Sequence, residues 1–111
     1  MEIEGKYDYL ILLSHSGMEQ DKYLAERFPK INLIIGGHSQ SLTQPPEMIN
    51  GTYIVQAGES GYRVGILQLL FVDKRMESCQ NKFILLDNKV QDHPGVVKLI
   101  KEYHRERLAE N

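Results

Sequence analysis

The chain has 111 residues, 41% of them hydrophobic and 25% charged, with a formal net charge of −2. That length allows one compact domain but is short for an enzyme that assembles its site from several separated elements. With no basic excess, nothing argues for a nucleic-acid partner, whose phosphates would call for one. A single cysteine, Cys79, cannot form an internal disulfide and reads as a buried or half-buried strand residue. The opening Met1-Glu2-Ile3-Glu4-Gly5-Lys6 is charged and lacks the apolar core of a secretory leader, so no signal peptide is expected in this chain. No apolar run approaches the roughly 20 residues that span a bilayer, and no membrane association is expected.

Taken in chain order, Tyr7 to Leu13 (YDYLILL) is a run of strand formers ending at the polar Ser14-His15-Ser16-Gly17, the pattern of a buried strand that stops at a loop. From Met18 to Phe28 the pattern turns helical. Leu24 and Phe28 lie four apart, Glu19 and Asp21 occupy the early turns, Arg27 stands near the end, and Pro29 stops the helix. Ile31 to Ile35 (INLII) is a second apolar strand. Strand, helix and strand fit one βαβ unit of about 30 residues, so the two strands should be parallel, joined by a right-handed crossover and covered on both faces. Ser39 to Gly51, with Pro45-Pro46 and Asn50-Gly51, reads as a loop. Thr52 to Ala57 reads as a third strand, Gly58 to Gly61 as a tight turn and Tyr62 to Val72 as a longer strand. A reversal around Asp73-Lys74-Arg75 and a return strand at Lys82 to Leu86 would complete a hairpin. Asp92-His93-Pro94 opens a final helix, with Asp92 as N-cap candidate, an apolar stripe of Val96, Leu99, Ile100 and Tyr103, and a wet side of Lys98, Lys101, Arg105 and Arg107. No internal repeat or low-complexity segment is present. The expected fold class is α/β, a βαβ unit followed by mostly antiparallel strands and a C-terminal helix, with residues 1–90 as the domain portion and 91–111 as a terminal or linker helix.

Parallel strands deliver their carboxyl ends to one sheet edge, where open α/β sheets bind ligands. His15 follows the first strand and His38 the second, so the two should be neighbours, with Gln40 projecting from the same turn as His38. Two imidazoles and an amide oxygen form a partial shell for a borderline divalent metal such as zinc, manganese or cobalt. Gly36 and Gly37 would let the backbone turn sharply and approach a ligand closely. Either histidine taken alone reads as a hydrogen-bonded loop residue, and their pairing by the βαβ unit brings the ligand reading level with that one. His93 and His104 read as parts of a helix start and a helix surface. Asp21 reads as a capping or solvated carboxylate. Gly58, Gly61 and Gly65 form no phosphate cradle, which needs its glycines between a strand and a helix with a closing lysine.

The stretches LILLSHSGMEQDKYLAERFPKINLIIGGHSQ and GTYIVQAGESGYRVGILQLLF carry, in order and spacing, the motifs SHSG, GGHSQ and QAGxxGxxVG. Over roughly Lys6 to Asp87 the chain thereby resembles the later part of the catalytic domain of calcineurin-like metallophosphoesterases. The branch it resembles contains 5′-nucleotidases, UDP-sugar hydrolases and 2′,3′-cyclic-nucleotide phosphodiesterases. The resemblance implies part of a four-layer αββα sandwich and a site of two divalent metals sharing a bridging aspartate. It implies that His15 and His38 bind one metal and Gln40 the other. Most relatives have histidine where Gln40 stands, while the bacterial UDP-sugar hydrolase type has glutamine, so the residue points to a bacterial nucleotidase, although its neutral amide is the weaker ligand.

The family draws its remaining ligands and a leaving-group histidine from motifs of the form DxH, GDxxD and GNH(D/E), and none of these occurs in the 111 residues. The expectation is therefore a fragment of a 5′-nucleotidase-like phosphoesterase, probed by nucleotide or sugar-nucleotide substrates only in the intact enzyme, binding metal weakly at most and inactive alone. Its partner would be the missing N-terminal half, or a second copy joined through exposed sheet edges. The alternative is a non-catalytic metal- or partner-binding module derived from that fold. Relatives are commonly exported, but nothing here assigns a compartment.

Overall fold

The computed structural model describes residues 2–110; Met1 and Asn111, the outer ends of the two expected units, lie outside the described residues. In chain order the elements are β1 (Ile11–Leu13), α1 (Met18–Arg27), β2 (Leu33–Ile35), β3 (Glu47–Ile49), β4 (Thr52–Val55), β5 (Arg63–Val72), β6 (Arg75–Leu85) and α2 (Pro94–Ala109). The fold is mixed α/β, as expected.

Short β-branched and leucine-rich runs build the first sheet, in the order β1-β2-β4-β3. β1, β2 and β4 run parallel, with Leu12 opposite Ile34 and Ile34 opposite Ile54. β3 pairs antiparallel with β4 and closes that edge. The β1-α1-β2 unit is thus present with parallel strands. α1 carries Glu19 and Asp21 in its first turn and Arg27 in its last, charges that suit its dipole. It ends at Phe28, just ahead of Pro29. Its inner face lays Ala25 on Ile34 and Ile54, flanked by Met18, Leu24, Leu12, Ile31 and Ile49. Among the described residues the buried apolar set is Ala25, Leu33, Ile34, Ile54 and Val55. Each large aliphatic side chain fully buried there contributes about 1.5–3 kcal/mol.

The second sheet is the β5-β6 hairpin, whose register slips between Leu70 and Phe71. Its turn places Asp73 and Lys74 at φ of 50° and 67°, the left-handed pair that a two-residue hairpin turn of matching twist demands. Tyr9, ahead of β1, meets Phe71 of β5 edge-on, with ring centroids 5.0 Å apart, and so joins the two sheets. Burial beside this contact pushes the Tyr9 phenol above its usual range, and its hydroxyl has no hydrogen-bond partner among the described residues.

Five expectations are corrected. The first strand is three residues long rather than seven, because the amide of Leu10 is taken by the Asn32 side chain, at 2.7 Å, instead of by a strand partner. Nor is it covered on both faces: β1 is a sheet edge, with Ile11 48% and Leu13 82% exposed. The expected loop from Ser39 to Gly51 contains β3, formed because the Asn50-Gly51 turn folds Glu47–Ile49 back onto β4. The return strand starts at Arg75, not Lys82. Polar Ser78 and Asn81 occupy half-buried positions there and mask its alternation. Finally, α2 is capped at His93 rather than Asp92, and none of its described residues is buried, so Val96, Leu99, Ile100 and Tyr103 face solvent.

The Cα radius of gyration is 18.3 Å, against about 13 Å for a compact chain of this length. An apolar groove of ≈ 800 Å³ runs between β1 and α1, lined by Ile3, Leu10, Ile11, Leu24, Phe28 and Ile31 among others. Together the long shape, the bare edge strand and the open groove describe layers with one side uncovered.

Two outcomes follow from the inter-sheet contacts. Tyr9→Phe, which removes an unpartnered buried hydroxyl and keeps the ring on Phe71, should leave stability unchanged or raise it by up to about 1 kcal/mol in urea titration. Cys79 on β6 is half-buried, and desolvation raises its thiol pKa. A raised pKa means less thiolate at pH 8, so iodoacetamide should alkylate the native chain more slowly than free cysteine, with the difference vanishing in urea.

Candidate functional site

The carboxyl ends of β1 and β2 are adjacent because the strands are paired in parallel, Leu13 opposite Ile35. The amide of Ser14 donates to the carbonyl of Ile35 at 2.9 Å, and that of Gly36 to Val55 at 2.8 Å. These bonds carry the ladder one residue beyond each strand and release the two loops side by side. His15 and His38 then stand edge to face, with ring centroids 5.1 Å apart and planes at 71°. Both are exposed. The expected pairing of His15 and His38 across the βαβ unit is thus present.

The glycines of the two motifs take a crossed arrangement. A Cβ on Gly37 would lie 3.3 Å from Nδ1 of His15, and one on Gly17 would lie 3.5 Å from Cδ2 of His38. Each histidine therefore rests over the glycine of the other loop. Gly17 also sits at φ 91° as the N-cap of α1, a backbone conformation that suits glycine. Its cap has no side chain of its own; the hydroxyl of Ser39, from the other loop, accepts the amide of Met18 at 3.0 Å.

Beyond Gly37 the chain makes a tight reversal. The amide of Ser39 donates to the carbonyl of Gly37 at 2.9 Å, closing a three-residue turn across His38, whose φ is 70°. A turn of this hand is uncommon and strained. Gln40, also exposed, follows at φ 56°. Positive φ at two polar residues, one on either side of Ser39, gives the loop a shape that it would not hold by itself.

Two buried polar side chains lie beneath. Asp21 is fully buried, and its Oδ1 accepts from the hydroxyl of Ser14 at 2.5 Å; that hydroxyl in turn accepts the amide of Ser16 at 3.2 Å. The reading of Asp21 as a capping or solvated carboxylate is therefore corrected: it lies on the core face of α1 and braces the His15 loop. The signal was in its spacing, since Asp21 falls on the helical stripe of Met18, Leu24 and Ala25, where a carboxylate needs a partner. Gln56, just past β4 and 4% exposed, was missed as well. Its main chain exchanges hydrogen bonds with the Thr43 hydroxyl, the amide donating at 2.9 Å and the carbonyl accepting at 3.1 Å. Its carboxamide turns towards the His38 loop. A Cβ on Gly36 would fall 2.4 Å from Oδ2 of Asp21 and 3.0 Å from Nε2 of Gln56, so Gly36 is the spacer against which both braces close.

As a donor set, His15 and His38 provide two imidazoles in contact and Gln40 an amide in the following turn, chemistry that fits one corner of a borderline divalent-metal site. Among the described residues no group of three or more His, Cys, Asp and Glu comes together in a way that could hold a metal ion. Asp21 spends Oδ1 on Ser14 beneath the loops, its buried Oδ2 having no hydrogen-bond partner among the described residues, and His93 and His104 lie at the start and on the surface of α2.

No family model matches the chain. Similar sequences and structures do exist. A metallophosphoesterase of Bacillus subtilis, YunD, is 30% identical over 91 residues, which cover 82% of this chain and 20% of that protein. The human 5′-nucleotidase is 28% identical over 106 residues, covering 78% of this chain and 18% of the relative. The sulfate thiohydrolase SoxB of Thermus thermophilus superposes with a TM-score of 0.75 at 26% identity, over 86% of this chain and 18% of that one. The chain thus spans about a fifth of the length of these relatives.

Gly36→Ala tests the two braces together. The new methyl group meets the buried Oδ2 of Asp21, which has no hydrogen-bond partner among the described residues, and the Gln56 carboxamide, neither with much room to yield, so urea unfolding should show a loss of about 1–3 kcal/mol. Gly51→Ala, at a turn where a Cβ meets nothing within 4 Å, controls for backbone strain alone.

Proposed function

The chain belongs to the 5′-nucleotidase-like metallophosphoesterases, as the C-terminal part of their catalytic domain, and from that premise we propose that it supplies one half of a metal-dependent phosphoesterase site. The contact between His15 and His38 at the carboxyl ends of two parallel strands carries this reading. His15 and His38 would present imidazole nitrogens to one divalent cation, and Gln40 its amide oxygen to a second, with manganese, zinc or cobalt as the metals such donors suit. When bound, the metals would supply a deprotonated water and neutralise charge on the phosphoryl oxygens. The chain's own part is positional. Gly17 and Gly37 leave room for the rings, Ser39 joins the second loop to the start of α1, and Asp21 and Gln56 hold the loops from below.

Nucleotides or sugar nucleotides would be the substrates of the intact enzyme, a class the names of the relatives support. Turnover would require carboxylate ligands from elsewhere in the domain, which makes this chain inactive alone. The bare edge of β1, the groove beside it and the 82% exposure of Leu13 favour a preceding portion of the same domain as the natural cover. The same bare edge favours, as a second reading, a non-catalytic module that binds metal or a partner there.

Purified chain with manganese, zinc or cobalt should hydrolyse neither bis(p-nitrophenyl) phosphate nor AMP. Joined to the preceding segment of the Bacillus subtilis relative's domain, it should hydrolyse one of them, with His38→Ala lowering the rate at least 100-fold, on the order of removing one key group from a charge-stabilising site. Turnover by the isolated chain that disappears in His38→Ala would overturn the half-site reading, and a folded but inactive chimaera would favour the non-catalytic module.

A further inference from the structure

The His38 turn is strained and exposed, yet both of its arms end on one buried side chain. The carboxamide of Gln56 donates through Nε2 to the carbonyl of Gly37 at 3.3 Å, on the entering arm. Through Oε1 it accepts the hydroxyl of Ser39 at 3.1 Å and the amide of Ser41 at 2.9 Å, on the leaving arm. One oxygen with two donors and one N–H with a carbonyl acceptor fix which way the amide faces. Gln56 is itself held by the reciprocal Thr43 bonds, and Thr43 is tied to the second sheet where the side-chain amide of Asn81 donates to its carbonyl at 2.8 Å. The loop is thus anchored through Gln56 to both sheets.

We propose that Gln56 is a positioning residue that holds the His38 turn in its left-handed conformation and so sets the imidazole of His38 against that of His15. The proposal rests on the reading of His38 as a metal ligand for its functional meaning, but its structural content stands without metal. A side chain with no amide at 56 would take one hydrogen bond each from the Gly37 carbonyl and the Ser39 hydroxyl and remove the side-chain acceptor of the Ser41 amide. The turn would then relax towards negative φ, and the His38 ring would leave its seat over Gly17. Because partners that orient a ligand commonly change metal affinity by about 10–100-fold, the effect on binding should fall in that range.

The test uses the full chain and three variants, Gln56→Met, Gln56→Glu and Ser39→Ala, followed by nuclear magnetic resonance. In metal-free protein the rings of His15 and His38 should show a mutual nuclear Overhauser effect, and the Ser41 amide should be protected from exchange. Gln56→Met should lose both while the amide spectrum of β2 and β4 is unchanged. Manganese, titrated by its broadening of the His15 and His38 ring signals, should then bind about 10–100-fold more weakly. Gln56→Glu keeps the acceptor oxygen but not the N–H, and should restore Ser41 protection with affinity between the two. Ser39→Ala, a change at an exposed position that serves if Gln56→Met does not fold, should weaken the ring contact and the affinity in the same direction. Persistence of the ring contact in folded Gln56→Met, or in Ser39→Ala if that variant alone folds, would overturn the proposal. A wild type that keeps the ring contact but shows no manganese broadening would overturn the metal reading and leave the positioning role supported.

Discussion

Everything at the site depends on the parallel pairing of β1 with β2 and of β2 with β4. Parallel strands discharge their following residues on the same side, and here three successive strand ends supply the His15 loop, the His38 loop and Gln56. An antiparallel partner would have sent one of these to the far edge. The pairing itself relies on few side chains: Ile34 lies between Leu12 and Ile54, and Ala25 of α1 closes the layer above. A very small apolar core therefore determines the placement of two loops whose own geometry is unfavourable.

The loops do not inherit order from that core directly; buried polar groups transmit it. Asp21 reaches the first loop from the helix and Gln56 the second from the neighbouring strand. Polar braces of this kind are directional, where an apolar contact would allow a ring to slide. That division fits a site in which chemistry needs exposed imidazoles, since an exposed ring has no apolar neighbours to fix it.

The βαβ unit and the meeting of His15 with His38 were legible in the sequence because both follow from continuous apolar runs separated by one helix length. The motifs SHSG and GGHSQ were equally legible. Less legible were elements whose pattern was broken by function or by missing cover. β6 hides its alternation behind Ser78 and Asn81, and Asn81 spends its amide on Thr43. β1 reads as buried because Tyr7 to Leu13 is apolar, but a sheet edge in this structure leaves Ile11 and Leu13 uncovered. α2 has an apolar stripe by periodicity, and none of its described residues is buried. In each of these last two cases the composition describes a surface that meets another layer, and periodicity alone carries no information on where that layer comes from. Gln56 escaped notice for a different reason: a single amide at a strand end has no spacing signature.

The crossed seating of the histidines ties together two segments that lie on either side of a helix. A Cβ gained at Gly17 would come into contact not with the histidine of its own loop but with His38, and one gained at Gly37 would press on His15. SHSG and GGHS therefore meet as one packed unit despite the helix between them, and what fills the space over either glycine is a ring from the other side of that helix.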